Sequence, residues 1–256
     1  MDLTLTFLGT GTSHGVPAIG CRCPVCTSDD PRNNRYRCSI LLQYGGHNVV
    51  VDTATEFRLQ AIRIGLDRLD AVLFTHSHAD HIGGLDDLRS FSERQGAAIP
   101  CYGSAECLDD IRHRFDYIFK ETQLGGGKPR LDMHPVDGPF ELFGLRIVPV
   151  PVYHGRLLVL GFRFGRTAYV TDCNSIPEGS EEMLKGLDVL VLDALRWRSH
   201  PTHFNVEEAL AEVAKLRPRH TYFTHLTHDL DHATTNAQLP QGVELAYDGL
   251  TLALEV

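Results

Sequence analysis

The sequence lacks any long hydrophobic run. No window approaches 18 consecutive apolar residues, and the longest such stretches, around Leu187–Leu195 and Ile147–Val152, are strand-length. A membrane-spanning helix needs about 20 such residues, so none is expected. A basic leader is also missing, because the opening MDLTLTFLGTGTS alternates like a strand. No secretory signal is read there, and the expected location is the cytoplasm. Nor is there an excess of positive charge. With 24 Lys+Arg against 33 Asp+Glu the net charge is −9. Such a surface repels phosphates, so nucleic acid is not an expected partner. Repeats, low-complexity tracts and long linkers are absent. Seven cysteines are an odd number, which argues against a disulfide framework in a chain without a secretory signal.

What is present fits a folded α/β chain. The 256 residues are 43% hydrophobic and 22% charged, which excludes a disordered or collagen-like polymer. One domain over residues 1–256 is expected. Strand signals recur at Leu3–Leu8, Ser39–Tyr44, Asn48–Asp52, Ala71–Thr75, Ile99–Tyr102, Leu145–Pro149, Val159–Phe164, Thr167–Thr171, Val189–Leu192, His220–Phe223 and Leu250–Leu254. Gly45-Gly46 joins two of them as a hairpin turn. The clearest helix is Val206–Leu216, with Asn205 as its cap and Pro218 as its stop. It sets Val206, Ala209, Leu210, Val213 and Ala214 on one face. Glu56–Ile64 and Ile82–Arg94 are also read as helices. Leu124–Pro135, with three consecutive glycines, reads as a loop.

The chemistry is concentrated in histidines, of which there are 14. At the end of the apolar strand AVLFT stands His76-Ser77-His78-Ala79-Asp80-His81, four potential metal ligands within six residues. In an extended segment His76 and His78 project to the same side. Imidazoles and a carboxylate at this density suit Zn²⁺, Mn²⁺ or Fe²⁺. Further candidates stand at later strand ends: His154 after VPVPVY, Asp172 after RTAYVT and His225 after HTYFT.

HxHxDH, followed in order by a His, an Asp and a His at three strand ends, resembles the metallo-β-lactamase superfamily of binuclear metal hydrolases. The Leu8-Gly9-Thr10-Gly11 strand end and the VVVDTA segment containing Asp52 resemble it too. The resemblance implies an αββα four-layer sandwich with its metals at one sheet edge. It implies that His76, His78 and His154 hold one divalent ion, that Asp80, His81 and His225 hold the second, and that Asp172 bridges them. Paired ions of this kind make water nucleophilic near neutral pH. Asp80 is counted as catalytic as well as a ligand.

Phosphodiesterases of this superfamily place a histidine shortly before a helix, where it protonates the leaving oxygen. In WRSHPTHFNVEEA the similar register falls on His203, with His200 as the neighbouring candidate. An imidazole suits the task because it titrates near the working pH. Arg196, Arg198 and Arg156 are candidates to grip a second phosphate, with solvent exposure as the competing reading.

A second metal signal lies at Cys21-Arg22-Cys23-Pro24-Val25-Cys26, in a loop over residues 20–27. Three thiolates this close indicate structural zinc, which needs a fourth ligand. His228 is the first candidate, ahead of His14 and His232. Cys38, Cys101, Cys107 and Cys173 read as packing residues. The cysteine loop, the Thr224-His225-Leu226-Thr227-His228 segment, the Gly15–Ala18 run and the Tyr247-Asp248-Gly249 stretch together are similar to the PhnP type of phosphoribosyl cyclic phosphodiesterase.

That resemblance implies a small phosphorylated substrate, two catalytic Zn²⁺ or Mn²⁺ ions, one structural Zn²⁺ and a homodimer. Three alternatives share the superfamily fold. They are a tRNA 3′-processing endoribonuclease, a glyoxalase-type thioester hydrolase, and a non-catalytic binding protein of cofactor biosynthesis. A thiolate leaving group hardly needs an acid, so His203 discriminates against the second. The complete seven-ligand set argues against the third.

Overall fold

The computed structural model describes residues 3–121 and 127–255. In chain order the strands are β1 (Leu3–Gly9), β2 (Ser39–Tyr44), β3 (His47–Val51), β4 (Ala71–Leu73), β5 (Ile99–Gly103) and β6 (Leu131–Pro135). There follow β7 (Phe140–Leu142), β8 (Leu145–His154), β9 (Leu157–Phe164), β10 (Thr167–Val170), β11 (Val189–Asp193), β12 (His220–Thr224), β13 (Val243–Leu245) and β14 (Thr251–Leu254). They form two seven-stranded sheets, ordered β14-β1-β2-β3-β4-β5-β6 and β13-β12-β11-β10-β9-β8-β7.

The period of two along each strand decides the layers. In β2, Ile40 and Leu42 pack between the sheets, whereas Leu41 packs outward. In β11, Val189 and Val191 face inward, and Leu190 and Leu192 outward. The central core therefore combines Leu5, Phe7, Val51 and Leu73 of one sheet with Ile147, Phe162, Phe164 and Tyr169 of the other. Strands buried on both faces read as near-continuous apolar runs, as VLVL at Val189–Leu192 does.

Helices cover both outer faces. On the first sheet, α1 (Phe57–Arg63), α3 (Arg89–Gln95) and α4 (Ala105–Arg114) contribute Phe57, Phe91, Leu108 and Ile111. The short α2 (Ala79–Ile82) precedes α3, and α5 (Asp116–Phe119) follows α4. On the second sheet, α6 (Glu178–Met183) is followed by α7 (Val206–Leu216), which buries Val206, Ala209 and Leu216. The last helix is α8 (His232–Asn236). This is the αββα sandwich. No helix among the described residues is long and apolar enough to cross a membrane.

The helix α7 has the expected bounds. Asn205 caps it by a reciprocal capping box with Glu208. Its buried stripe differs from the sequence pattern at one end. Ala214 is exposed, and Glu212 is buried with Lys215 2.6 Å away. The segment Ile82–Arg94 is not one helix. The chain leaves α2 through Gly83-Gly84, makes a 3₁₀ turn over Leu85–Leu88, and begins α3 at Arg89. A Cβ on Gly84 would lie 2.3 Å from the Ala54 carbonyl oxygen, so this close approach requires glycine.

The loop expected over Leu124–Pro135 is also corrected. Leu131–Pro135 is β6, the edge strand beside β5, and residues 124–126 lie outside the described residues. Within the Gly45-Gly46 hairpin both glycines have positive φ, as a primed turn requires.

Candidate metal centre and active site

Six strands deliver the chemistry to one edge. The strands β3 and β4 are parallel neighbours. So are β10, β11 and β12. Strand β8 runs parallel to β10 because each is antiparallel to β9. Their C-terminal ends therefore meet at one rim, where Asp52, His76, His154, Asp172, Asp193 and His225 stand. Ligand sites favour such carboxyl ends in mixed α/β sheets. Leu160 N donates to Thr75 O at 3.0 Å and ties the two sheets together there.

Three of these residues leave their strands in the left-handed region. The φ values are 64° for Asp52, 51° for Asp172 and 60° for His225. Each such non-glycine conformation costs about 1–3 kcal/mol and collects at functional sites.

Asp172 stands at the middle. Its Oδ1 lies 3.2 Å from His81 Nε2 and 3.3 Å from His225 Nε2. Its Oδ2 lies 3.8 Å from His76 Nε2. One carboxylate oxygen thus faces each ligand set. Asp80 Oδ2 lies 3.5 Å from His81 Nε2 and 3.8 Å from His225 Nε2. Asp80, His81, Asp172 and His225 form one potential metal-holding group, and His76, His78 and Asp172 another. His154 stands beside His78, with ring centroids 5.1 Å apart, and groups with Asp172 and His203.

The other ring nitrogens are held from behind. His81 Nδ1 lies 2.7 Å from Asp52 Oδ2, and His76 Nδ1 lies 3.0 Å from Thr75 Oγ1. His154 Nδ1 donates to Thr202 O at 2.8 Å. Asp52 is itself held by Thr75, whose backbone N–H and hydroxyl donate at 2.9 and 2.8 Å. This is the arrangement that fixes imidazole tautomers around an ion.

The donor set fits divalent metal ions. Nε2 of His76, His81 and His225 is buried and makes no hydrogen bond among the described residues. Three orphaned imidazole nitrogens facing one carboxylate would be costly without cations between them. The charges point the same way. Burial opposes ionisation of Asp172, yet His225 and His81 hold its carboxyl well below the usual range. Burial likewise opposes a proton on His225, but Asp172 and Asp80 raise it to about 9. Burial lowers His76 well below the ordinary imidazole value, so its nitrogen is free to coordinate.

His203 stands over both ligand sets without joining the first two groups. Its ring lies 4.5 Å from that of His154 and 4.6 Å from that of His225. Its Nδ1 lies 2.8 Å from Asp193 Oδ2, and the residue is buried. The Asp193 oxygen also accepts from Cys173 N at 2.9 Å, which fixes the carboxylate. His200 lies further out, its ring 5.0 Å from His203 and its Nδ1 engaged by Thr202. Asp193 was not among the sequence candidates, although it closes the VLVLD strand in the same way as the other strand-end ligands. Asp52 was legible only as part of a resembling segment.

The cysteines form a separate cluster. His228 Nδ1 lies 3.2, 3.7 and 3.2 Å from the sulfurs of Cys21, Cys23 and Cys26. A tetrahedron with Zn–S near 2.3 Å and Zn–N near 2.05 Å has S···N edges of about 3.6 Å. The four residues form one potential metal-holding group; His14 and His232 belong to none among the described residues. Cys38, Cys101, Cys107 and Cys173 are buried, as packing residues should be.

Arg35 ties this cluster together. Its backbone pairs with Val16 in both directions, at 2.7 and 2.9 Å, ahead of the cysteine loop. Its guanidinium donates to Thr227 O and Leu230 O, both at 2.7 Å, on either side of His228. The side chain is 1% exposed.

Of the arginines considered for phosphate, Arg156 is exposed at the tip of the β8–β9 hairpin. Arg198 pairs with Asp229 at 2.9 Å. Among the described residues Arg196 reaches the carbonyls of Arg198 and Ser199, at 3.3 Å each.

The family model described as the β-lactamase superfamily domain matches residues 47–226. A solved structure described as a new diphosphatase from the PhnP family superposes with a TM-score of 0.94 at 49% identity, over 99% of this chain and 98% of that one. The chain belongs to the PhnP family of the β-lactamase superfamily. The expected enzyme class, a metal-dependent hydrolase, agrees with both matches. A curated protein of Porphyromonas gingivalis named octanoyltransferase is 38% identical over 97% of this chain. The chain spans about half of that relative's length, 51%, so the name describes a protein that extends well beyond the match. Ribonuclease Z of Borrelia hermsii is 33% identical over 51% of this chain and 41% of its own.

Proposed function

We propose that this PhnP-family chain is a phosphodiesterase that opens a small, cyclic phosphodiester to a phosphomonoester. The substrate class is that of phosphoribosyl 1,2-cyclic phosphate. The observation that carries the reading is the Asp193–His203 pair beside a complete set of metal-ligating side chains. A hydrolase that expels an alkoxide needs a held proton donor there, and a thioester hydrolase does not.

His76, His78 and His154 would hold one ion, and Asp80, His81 and His225 the other, with Asp172 between them. Zn²⁺ or Mn²⁺ bound there would supply a nucleophile from water at neutral pH and would offset charge on the phosphoryl oxygens. The protein's own share is positional. Asp52 and Thr75 hold the ligand rings, and Asp193 holds His203 with Nε2 toward the reacting group. His203 gives its proton to the departing sugar oxygen as the P–O bond breaks. The oxygen from water stays on phosphorus, and the product carries a free hydroxyl and a phosphomonoester. Cys21, Cys23, Cys26 and His228 would hold a structural Zn²⁺ that fixes the loop following His225. The protein is read as one domain over residues 1–256. It is further read as a cytoplasmic homodimer acting on a small molecule, with neither nucleic acid nor membrane as partner.

The ribonuclease Z relative favours a second reading, tRNA 3′-end cleavage, because that reaction uses the same core chemistry. The net charge of −9 argues against a large RNA footprint. The test is ³¹P NMR of the Zn²⁺- or Mn²⁺-loaded protein with phosphoribosyl 1,2-cyclic phosphate, adenosine 2′,3′-cyclic phosphate and a tRNA precursor. Preferential opening of the phosphoribosyl ring supports the proposal. Cleavage of the precursor alone, or no phosphoester turnover at all, overturns it.

A further inference from the structure

The turn that carries His76 and His78 is gripped from outside the centre. Ser77, between them, is buried, and its hydroxyl donates to Asp110 Oδ2 at 2.6 Å. Arg114 Nη1 donates to the Ser77 carbonyl at 2.7 Å. Asp110 and Arg114 stand one turn apart on α4, so both reach the same residue. The helix is a firm base. Ser104 caps it by accepting from Cys107 N at 3.1 Å. Its Cys107, Leu108 and Ile111 pack into the outer core of the first sheet.

The two ligand sets are not supported alike. His76, His81 and His154 are each engaged at Nδ1, by Thr75, Asp52 and Thr202, whereas among the described residues no such bond reaches His78. The direction of His78 therefore depends on the backbone at Ser77. The hairpin bearing His154 comes to the same corner. Its Leu157, with Ser77, Cys107 and Asp110, walls a void of about 20 Å³. All three ligands of the first set thus bear on α4. The second set is held elsewhere: Asp52 engages His81, and Gly84 N, just past α2, donates to Thr53 O at 2.9 Å.

We propose that Asp110 is a positioning residue for one ion of the pair. Acting through Ser77, it fixes the relative directions of His76 and His78, and so sets the affinity of the position held by His76, His78 and His154. The position held by Asp80, His81 and His225 does not depend on it. Arg114 assists by holding the Ser77 carbonyl. The inference rests on the ligand assignment given above and goes beyond it, because it gives the two positions separate supports. Outer partners of this kind act on affinity, since an ion gains less from imidazoles that must first be redirected. The acceptor is a carboxylate, which makes the Ser77 bond stronger than a neutral one.

The test titrates Mn²⁺ into the full chain stripped of its catalytic ions, with the unbound ion read by electron paramagnetic resonance. Mn²⁺ prefers oxygen and nitrogen ligands, so it does not compete for the cysteine cluster. His154→Ala and His225→Ala are the references for loss of each position. Ser77→Ala and Asp110→Ala are expected to bind one Mn²⁺ as wild type does and the other about 10- to 100-fold more weakly. The spectrum of the singly loaded variants should match that of His154→Ala. Asp110→Asn keeps an acceptor for the Ser77 hydroxyl and should stay within about fivefold of wild type. Ser77→Ala removes a single oxygen and decides the case should Asp110→Ala fail to fold. Wild-type affinity at both positions in these variants, or equal weakening of both, overturns the proposal. A wild type that takes up a single Mn²⁺ overturns the binuclear assignment beneath it.

Discussion

The carboxylate of Asp193 lies 2.8 Å from Nδ1 of His203, and the same oxygen is held by the backbone of Cys173. This engages Nδ1 of the imidazole and leaves Nε2 for the proton transfer proposed above. His203→Ala is expected to keep the metal content and fold and to lose about 10²–10⁴-fold in kcat on an alkoxide-leaving substrate. The loss should shrink to about tenfold or less on a p-nitrophenyl ester, whose leaving group needs no proton. Equal losses on both substrates would contradict the role given to His203. Asp193→Asn should show the same dependence on leaving group with a smaller loss.

The cysteine cluster makes a separate forecast. Cys23→Ala and His228→Ala should each remove about one zinc equivalent per chain, read by elemental analysis, and lower Tm by several degrees. Loss of the same equivalent in both variants is the informative result, because the two residues are 205 positions apart. Cys26 carries a second signature. Burial pushes its thiol up to about 11 in the metal-free protein. Zinc binding needs the thiolate, so uptake should release protons and weaken as pH falls. Calorimetry in buffers of different ionisation enthalpy measures this directly.

Arg35 is buried with three hydrogen-bond acceptors and, among the described residues, no carboxylate in contact. Truncating it leaves the carbonyls of Thr227 and Leu230 without donors, at about 1–3 kcal/mol each. Arg35→Met should therefore destabilise by several kcal/mol in chemical denaturation and speed zinc release to a chelator. Asn33→Ala removes one guanidinium contact along with the Asn33 bonds to Ser28, Asp231 and His232, so it should destabilise as well but speed zinc release less than Arg35→Met. Unaltered zinc release in both variants would show that the clamp and the cluster are independent.

Asp248 gives a pH dependence away from the metals. Its oxygens accept from Thr10 Oγ1 and Tyr36 N, both at 2.8 Å. Burial nevertheless raises its pKa from 3.8 to about 6. The folded state thus holds this proton more tightly than the unfolded chain. The stability it contributes is present below about pH 4 and is lost as pH rises through about 6. Asp248→Asn should compare more favourably with wild type at pH 7 than at pH 4, by roughly 2 kcal/mol. Urea midpoints at the two pH values measure the difference.

Local pattern made much of this legible. The apolar alternation located most strands, and Asn205 marked the start of α7 to the residue, with Pro218 as the stop beyond its end. Ligands concentrated in His76–His81 were visible because sequence neighbours became spatial neighbours. Asp193 was not visible as a functional residue, because its role depends on His203, ten positions away, and on the pairing of β11 with β10 and β12. The break at Gly83-Gly84 was hidden for a similar reason. It arises from the approach of the Thr53–Ala54 backbone, which no local period reports. The edge strands Leu131–Pro135, Phe140–Leu142 and Val243–Leu245 are short or half-exposed, so their apolar signal is weak.

The left-handed turns at Asp52, Asp172 and His225 set a conflict between two kinds of selection. Glycine at any of the three would relieve the backbone, and a screen that rewarded only heat resistance in metal-free protein would drift toward it. The same change deletes a ligand or its support, so the gain would accompany a silent enzyme. Libraries built to harden this scaffold should therefore hold these three positions fixed and search for stability elsewhere.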